Sequence, residues 1–179
     1  MSLLQNIDNS ILEFIKNNMH SSIMDKIMII CTYLGNGGAI WIAIAALLTI
    51  SKKYRKVGLM MLVALVIGYL MGEGILKHIF KRERPFTHIP GIELLAKRPK
   101  SYSFPSGHTT SSFAAAGILA YSFRRYAPVF YLLAGLIAFS RLYLYMHYPS
   151  DVLGGVILGT LSCIFTIYIF KKFIDKKAQ

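Results

Sequence analysis

The sequence is poor in acid: its 179 residues hold eight Asp and Glu against twenty Lys and Arg, a formal net charge of +12. So few carboxylates argue against a hydrolase built on a carboxylate-bound metal cluster. Cysteine is scarcer still. Cys31 and Cys163 both fall inside apolar runs, where a thiol packs as a small apolar group and offers neither a disulfide framework nor a thiolate metal site. Internal repeats, low-complexity tracts and long polar linkers are missing, so residues 1–179 read as a single domain. Charge is absent altogether from four long stretches, Ile27 to Ser51, Val57 to Gly72, Tyr126 to Ser140 and Val152 to Phe170. With a turn from its flanks, each approaches the ~20 residues that cross a bilayer core.

What is present fits those absences. A hydrophobic content of 55% exceeds what a soluble core of this size needs. The chain is expected to be an all-α, integral membrane helical bundle over residues 22–172 with about five transmembrane helices, the shorter Thr109 to Phe123 run being the third. In a soluble protein +12 would suggest nucleic acid. Here the basic residues sit at span ends, where anionic headgroups meet them, and no nucleic-acid partner is expected. Met1 to Asn18 lacks the layout of a cleavable signal peptide. Leu3, Leu4, Ile7, Ile11, Phe14 and Ile15 recur at helical spacing, so residues 1–20 are expected to form an amphipathic helix along the interface.

Short cytoplasmic loops are enriched in Lys and Arg. Lys52, Lys53, Arg55 and Lys56, then Arg124 and Arg125, then Lys171, Lys172, Lys176 and Lys177 follow the odd-numbered spans and agree on one cytoplasmic face. Residues 77–107 and 141–150 then share the opposite, extracytoplasmic face. That face is itself basic, through Lys77, Lys81, Arg82, Arg84, Lys97, Arg98 and Lys100, and a basic concentration on the wrong side is expected to bind anions. Gly35, Asn36, Gly37 and Gly38 in the first span are expected to kink it, allow close helix approach or split it into two shorter helices.

Three short stretches converge on that face. "KHIFKRERP", 77–85, supplies a point charge at Lys77 and a planar fork at Arg84, after which Pro85 is expected to stop the helix. "FPSGHTTS", 104–111, reads as a helix start in which Ser106, the amide of Gly107 and His108 meet an anion at free backbone N–H groups. "SRLYLYMHYPSD", 140–151, adds Arg141, His147 and Asp151, with the aspartate placed to accept from an imidazole N–H and fix its tautomer. Taken singly, each has a plain alternative: snorkelling cations, a polar cap, an interfacial histidine. None of these explains why all three share a face.

Lys77, six residues, Arg84-Pro85; then Pro105-Ser106-Gly107-His108; then Ser140-Arg141, five residues, His147, three residues, Asp151: this resembles the three-part signature of the type 2 phosphatidic acid phosphatase (PAP2) family, which also includes vanadium haloperoxidases and glucose-6-phosphatase. The resemblance implies a PAP2/haloperoxidase-like helical core and a phosphatase. His147 would attack phosphorus to form a phosphohistidine, Asp151 would orient it, and His108 would protonate the leaving oxygen and then activate water. Lys77, Arg84, Ser106, Gly107 and Arg141 would surround the phosphoryl oxygens. No metal and no cofactor are expected, since Glu73, Glu83, Glu93 and Asp151 are the acidic residues of this face and Glu73 is placed to pair with Lys77 four residues on.

A site at headgroup depth suits a lipid phosphate or diphosphate whose tail stays in the membrane, and no obligatory protein partner is evident. Undecaprenyl diphosphate is the first expectation; phosphatidylglycerophosphate or phosphatidate and then lipid A phosphate follow. The setting expected is a bacterial cytoplasmic membrane. An anion transporter or a silent phosphate-binding scaffold is the non-enzyme alternative. Phe86, Tyr102, Phe104, Tyr143, Tyr145 and Tyr148 are expected to serve mostly as an interfacial belt, with some bordering the tail. Lys97, Arg98 and Lys100 would hold a second phosphate or touch anionic lipid.

Overall fold

The computed structural model describes residues 3–88 and 94–174. Glu93, Lys176, Lys177 and Met1 lie outside them. The chain is all-α, and it is built around breaks in its helices. After α1 (Leu3–Asn18), α2 (Ser22–Gly35) opens on Ser21, whose hydroxyl accepts from the Met24 amide, and closes at Gly35. A 3₁₀ turn, Asn36–Gly38, follows with Gly37 and Gly38 in left-handed backbone at φ 58° and 71°, which glycine adopts without a Cβ clash. Then α3 (Ala39–Ile50) begins. The first span is therefore split rather than kinked.

α4 (Arg55–Tyr69) runs through a wide π turn, Leu70–Leu76, into the four-residue α5 (Lys77–Phe80). That helix ends five residues before Pro85. Lys81 takes a left-handed conformation at φ 43° and turns the chain, while Pro85 opens a separate 3₁₀ turn, Pro85–His88. α6 (Gly107–Ser122), α7 (Ala127–Tyr143) and α8 (Pro149–Ile169) complete the bundle.

Among the described residues four helical segments are long and apolar enough to cross a membrane: Ser22–Ile50, Arg55–His88, Arg124–Tyr143 and Pro149–Phe173. The expected third span is α6, which with 16 residues is not one of them. At 1.5 Å per residue it extends about 24 Å, short of the ~30 Å core. It need not reach, because α4, α7 and α8 pack around it and bury Thr109, Thr110, Ser112 and the run 114–119. Trp41 on α3 donates its indole N–H to Ser112 at 2.9 Å, a buried bond into the same helix. Outside this core, Ile30, Leu47, Val66, Leu132, Leu161 and Phe165 are exposed, as side chains facing lipid would be.

The two ends of the bundle differ. Tyr54 packs edge-on against Phe123, and Lys171 lies over the Tyr121 ring, so the α3–α4, α6–α7 and C-terminal basic groups gather at one end. The motif residues occupy the other. There α1 lies against α7 and α8 with Leu12 and Ile15 buried, while Leu3, Leu4, Ile7, Ile11 and Phe14 stay exposed. The aromatic belt expected at this end is largely a set of internal fasteners. Phe86, Tyr143, Tyr145 and Tyr148 are buried, and the tyrosines find partners inside: Tyr143 Oη donates to Asp25, Tyr145 Oη to the Leu12 carbonyl at 2.7 Å, and the Tyr148 ring stacks on Arg82.

The α6–α8 approach depends on Gly155. A Cβ there would lie 2.7 Å from Thr109 Cβ and 2.8 Å from the Ser106 carbonyl, and backbone cannot step aside. Gly155→Ala is expected to destabilise the protein by about 1–3 kcal/mol, as overpacking does. Thermal unfolding in detergent measures it, and an unchanged midpoint would contradict this account of the contact.

Candidate active site

Six of the expected residues line one cavity of about 460 Å³: Lys77, Arg84, Gly107, His108, Arg141 and His147 face it, the glycine through its backbone. Each arrives by a different device. The π turn before α5 carries Glu73 and Lys77 inward, and they pair at 2.6 Å, as their spacing leads one to expect. Lys81 redirects the chain so that Arg84 enters as well. α6 presents Gly107 and His108 in its first turn, α7 presents Arg141 in its last, and His147 sits in the connection before α8.

Three buried cations thus stand together, and apart from Glu73 on Lys77 neutral oxygens hold them. Arg84 donates to the carbonyls of Ser101 at 2.8 Å, Met146 at 2.7 Å and Tyr102 at 3.0 Å. Lys77 donates to Ser101 Oγ at 3.0 Å, and Arg141 donates to Thr32 Oγ1. One donor is left over. Arg141 Nε is buried with no hydrogen-bond partner, an arrangement that costs about 1–3 kcal/mol unless a ligand satisfies it.

The geometry fixes the tautomer of His147. Arg84 Nη1 lies 3.0 Å from its Nε2, and a guanidinium can only donate, so Nε2 carries the lone pair. On the other side Ser103 Oγ spends its proton on Asp151 Oδ2 at 2.5 Å and lies 3.4 Å from Nδ1, which it can only accept from. Nδ1 therefore bears the hydrogen. Burial, followed by the charges of Arg84, Arg141 and Lys77, pushes the imidazole well below its usual pKa and keeps it neutral. A neutral ring with its lone pair toward a cationic cavity is equipped for nucleophilic attack on an anion's electrophilic centre.

Three placements depart from the sequence reading. Asp151 is 3.6 Å from His147 Nδ1, so Ser103 mediates much of their contact. Ser106 does not line the cavity; its hydroxyl caps α6, accepting from Thr109 Oγ1 at 3.0 Å, and its amide donates to the Asp151 carbonyl at 3.1 Å. Arg82, grouped above with anion-binding cations, instead donates to Asp151 Oδ1 at 2.7 Å and to Asp8 Oδ2 at 2.6 Å, because two carboxylates face it. Lys97, Arg98 and Lys100 stay exposed at the surface, outside the cavity wall, which Pro99 lines between them.

Sequence reasoning passed over Ser101, Ser103 and Asn36. Asn36 Oδ1 lies 2.9 Å from His108 Nε2, and Gly35 makes room for that ring: a Cβ would come within 2.8 Å of His108 Cδ2. A polar residue among three glycines inside an apolar run was the available signal. The serines carried none, since nothing in their spacing points inward. Among the described residues, no three His, Cys, Asp or Glu side chains group as metal ligands would. Away from the charges the cavity continues along Ile42, Leu62, Leu65 and Val66, an apolar wall.

The family model of the PAP2 superfamily matches residues 53–175. An undecaprenyl-diphosphatase of Sulfolobus acidocaldarius is 32% identical over 73% of this chain and 63% of its own length. A lipid A 4'-phosphatase of Bacteroides thetaiotaomicron is 32% identical over 89% and 75%. The crystal structure of a transmembrane PAP2-type phosphatidylglycerolphosphate phosphatase from Bacillus subtilis superposes with a TM-score of 0.76 at 25% identity, covering 97% of this chain and 89% of that one. The chain spans 52–63% of the length of the first curated relatives it matches.

Arg141 lines the cavity and its Nε has no hydrogen-bond partner within the protein. Arg141→Met is therefore expected to unfold no earlier than the parent while binding inorganic phosphate at least about tenfold more weakly, since a buried ion is often replaced by an apolar isostere at no loss. Calorimetric titration and thermal unfolding separate the two; loss of stability with unchanged phosphate affinity would contradict it.

Proposed function

The chain belongs to the PAP2 superfamily, and on that premise we propose that it is a multi-pass membrane lipid phosphatase working through a phosphohistidine. The observation that carries the reading is the neutral, Nδ1-protonated His147 with its Nε2 lone pair turned toward Lys77, Arg84 and Arg141.

In the first half, the phosphoryl oxygens take over the donors of Lys77, Arg84, Arg141 and the Gly107 amide, and Arg84 leaves Nε2 for an oxygen. His147 Nε2 then forms the N–P bond as the O–P bond to the lipid breaks. His108, whose ring N–H now rests on Asn36, passes its proton to the leaving oxygen, its cationic form being favoured once phosphoryl charge arrives. In the second half His108 takes a proton from water, the hydroxide forms the new O–P bond, and the N–P bond breaks to return neutral His147 and inorganic phosphate. The preorganised cations supply most of the stabilisation, because charge develops in a buried site. Asp151 steadies the ring while it is positive. No step requires a metal.

The apolar wall of Ile42, Leu62, Leu65 and Val66 below the cations suits a substrate whose tail stays in lipid. Undecaprenyl diphosphate is the substrate of first choice, supported by the name of the Sulfolobus relative; the other two names, phosphatidylglycerolphosphate and lipid A phosphatases, supply the alternatives. With the basic groups gathered at the opposite end, the site faces the extracytoplasmic side of a bacterial cytoplasmic membrane. An anion transporter is disfavoured by the concentration of charge at one mouth.

Phosphate release in detergent tests the reading across undecaprenyl diphosphate, phosphatidylglycerophosphate, phosphatidate and lipid A. His147→Ala and His108→Ala are each expected to lower kcat by about 10³-fold or more in folded protein, as loss of a nucleophile or its proton partner does. A chelator is expected to leave the rate unchanged. Turnover surviving His147→Ala, or strong inhibition by the chelator, would overturn the mechanism.

A further inference from the structure

α1 carries a carboxylate where an interfacial helix has no need of one. Asp8 is 1% exposed and accepts three hydrogen bonds: from Arg82 Nη2 at 2.6 Å, Ser150 Oγ at 2.6 Å and the Ser150 amide at 2.9 Å. Membrane contact is already provided by the exposed face of Leu3, Leu4, Ile7, Ile11 and Phe14. Capping of α8 has its own carboxylate, since Asp151 Oδ2 accepts from the Tyr148 amide at 2.9 Å. Burying a further carboxylate carries a desolvation penalty of several kcal/mol, so a purely adhesive role would be better filled by an apolar side chain.

The arrangement around Arg82 supplies the reason. Its guanidinium lies between two carboxylates, with Nη1 on Asp151 Oδ1 at 2.7 Å and Nη2 on Asp8 Oδ2, and it stacks over Tyr148 at 4.1 Å. Arg82 with Asp151 alone is neutral. With Asp8 the group carries one net negative charge, placed behind a histidine that already faces three cations. When Nε2 bonds to phosphorus the ring becomes positive, and the adjacent anion placed to answer it among the described residues is Asp151, through Ser103 and across 3.6 Å.

We propose that Asp8 is a positioning residue for His147: by sharing Arg82 with Asp151, it holds the Asp151 carboxylate in place behind the nucleophile. The proposal rests on the phosphohistidine reading. It also gives α1 a second task, because a helix seated on the membrane by one face is fastened by the other to the connection that bears the nucleophile, through Asp8 and through the Leu12 carbonyl on Tyr145.

The test uses the full chain in detergent with undecaprenyl diphosphate, and kcat is referred to the folded fraction from circular dichroism. Asp8→Asn is nearly isosteric and is expected to lower kcat about 10- to 100-fold while KM moves less than about threefold, the signature of an interaction that matters in the transition state. Asp8→Glu keeps the charge and is expected to retain at least about a third of kcat, on the same reasoning. In an Arg82→Met background Asp8→Asn is expected to bring no further loss, since the path runs through Arg82. Glu13→Gln, an exposed carboxylate on the same helix, is expected to leave kcat unchanged. A folded Asp8→Asn protein with parental kcat overturns the proposal, as does a loss that multiplies in the Arg82→Met background. If Asp8→Asn does not fold, a folded Asp8→Glu protein below a tenth of parental kcat overturns it instead. Failure of the phosphohistidine reading looks different: the parent releases no phosphate, or His147→Ala still does.

Discussion

Three buried cations without three buried anions are the constraint on which the rest of this structure turns. Lys77, Arg84 and Arg141 are each nearly inaccessible, and among them Glu73 is paired with Lys77 alone. Like charges brought together in a medium of low polarity repel, and neutral oxygens reduce that repulsion less than a counterion does. The fold tolerates the arrangement by spending backbone carbonyls and serine hydroxyls on it: Ser101, Tyr102 and Met146 hold Arg84, and Ser101 also holds Lys77. The same field keeps His147 uncharged. A dianionic phosphoryl group in the cavity would offset that concentration of positive charge.

Three irregularities in the helices serve that gathering. The Asn36–Gly38 turn opens the first span so that Asn36 reaches His108 and Gly35 admits its ring. The π turn before α5 rotates Glu73 and Lys77 onto the cavity side, and Lys81 in left-handed backbone turns Arg82 and Arg84 to opposite duties, one toward Asp151 and one toward the cavity. Regular helices would have been more stable locally; each π turn or left-handed residue forgoes some backbone bonding. α6 has no such break. It is the short, wholly packed axis against which the broken helices are held.

Much of this was legible beforehand, and the failures have physical causes. Four of the five expected spans, the gathering of basic groups at one end and the shared face of Lys77, Arg84, His108, Arg141, His147 and Asp151 follow from apolar run lengths and motif spacing. The π turn, the early end of α5 and the duty of Arg82 do not, because they depend on which partners stand opposite. Tyr143, Tyr145 and Tyr148 looked like interfacial residues for the same reason: a tyrosine's preference for a wet edge is equally met by Asp25, the Leu12 carbonyl or Arg82. Ser106 stands where an anion ligand would at the helix start, but its hydroxyl is spent on the cap of α6.

What the sequence determined by itself is the chemistry available: long uncharged runs suited to lipid, and two histidines with cations at fixed spacings. Local hydrophobicity and chain connectivity suffice for that. Only the tertiary structure decided how those groups are paired. Asp8 stands 74 positions before Arg82 and 143 before Asp151, and no periodicity relates them; their meeting follows from α1 packing on the α7–α8 connection. The tautomer of His147 likewise depends on Arg84 and Ser103 arriving from a different part of the chain, since a proton's place on an imidazole is set by the neighbours of both ring nitrogens.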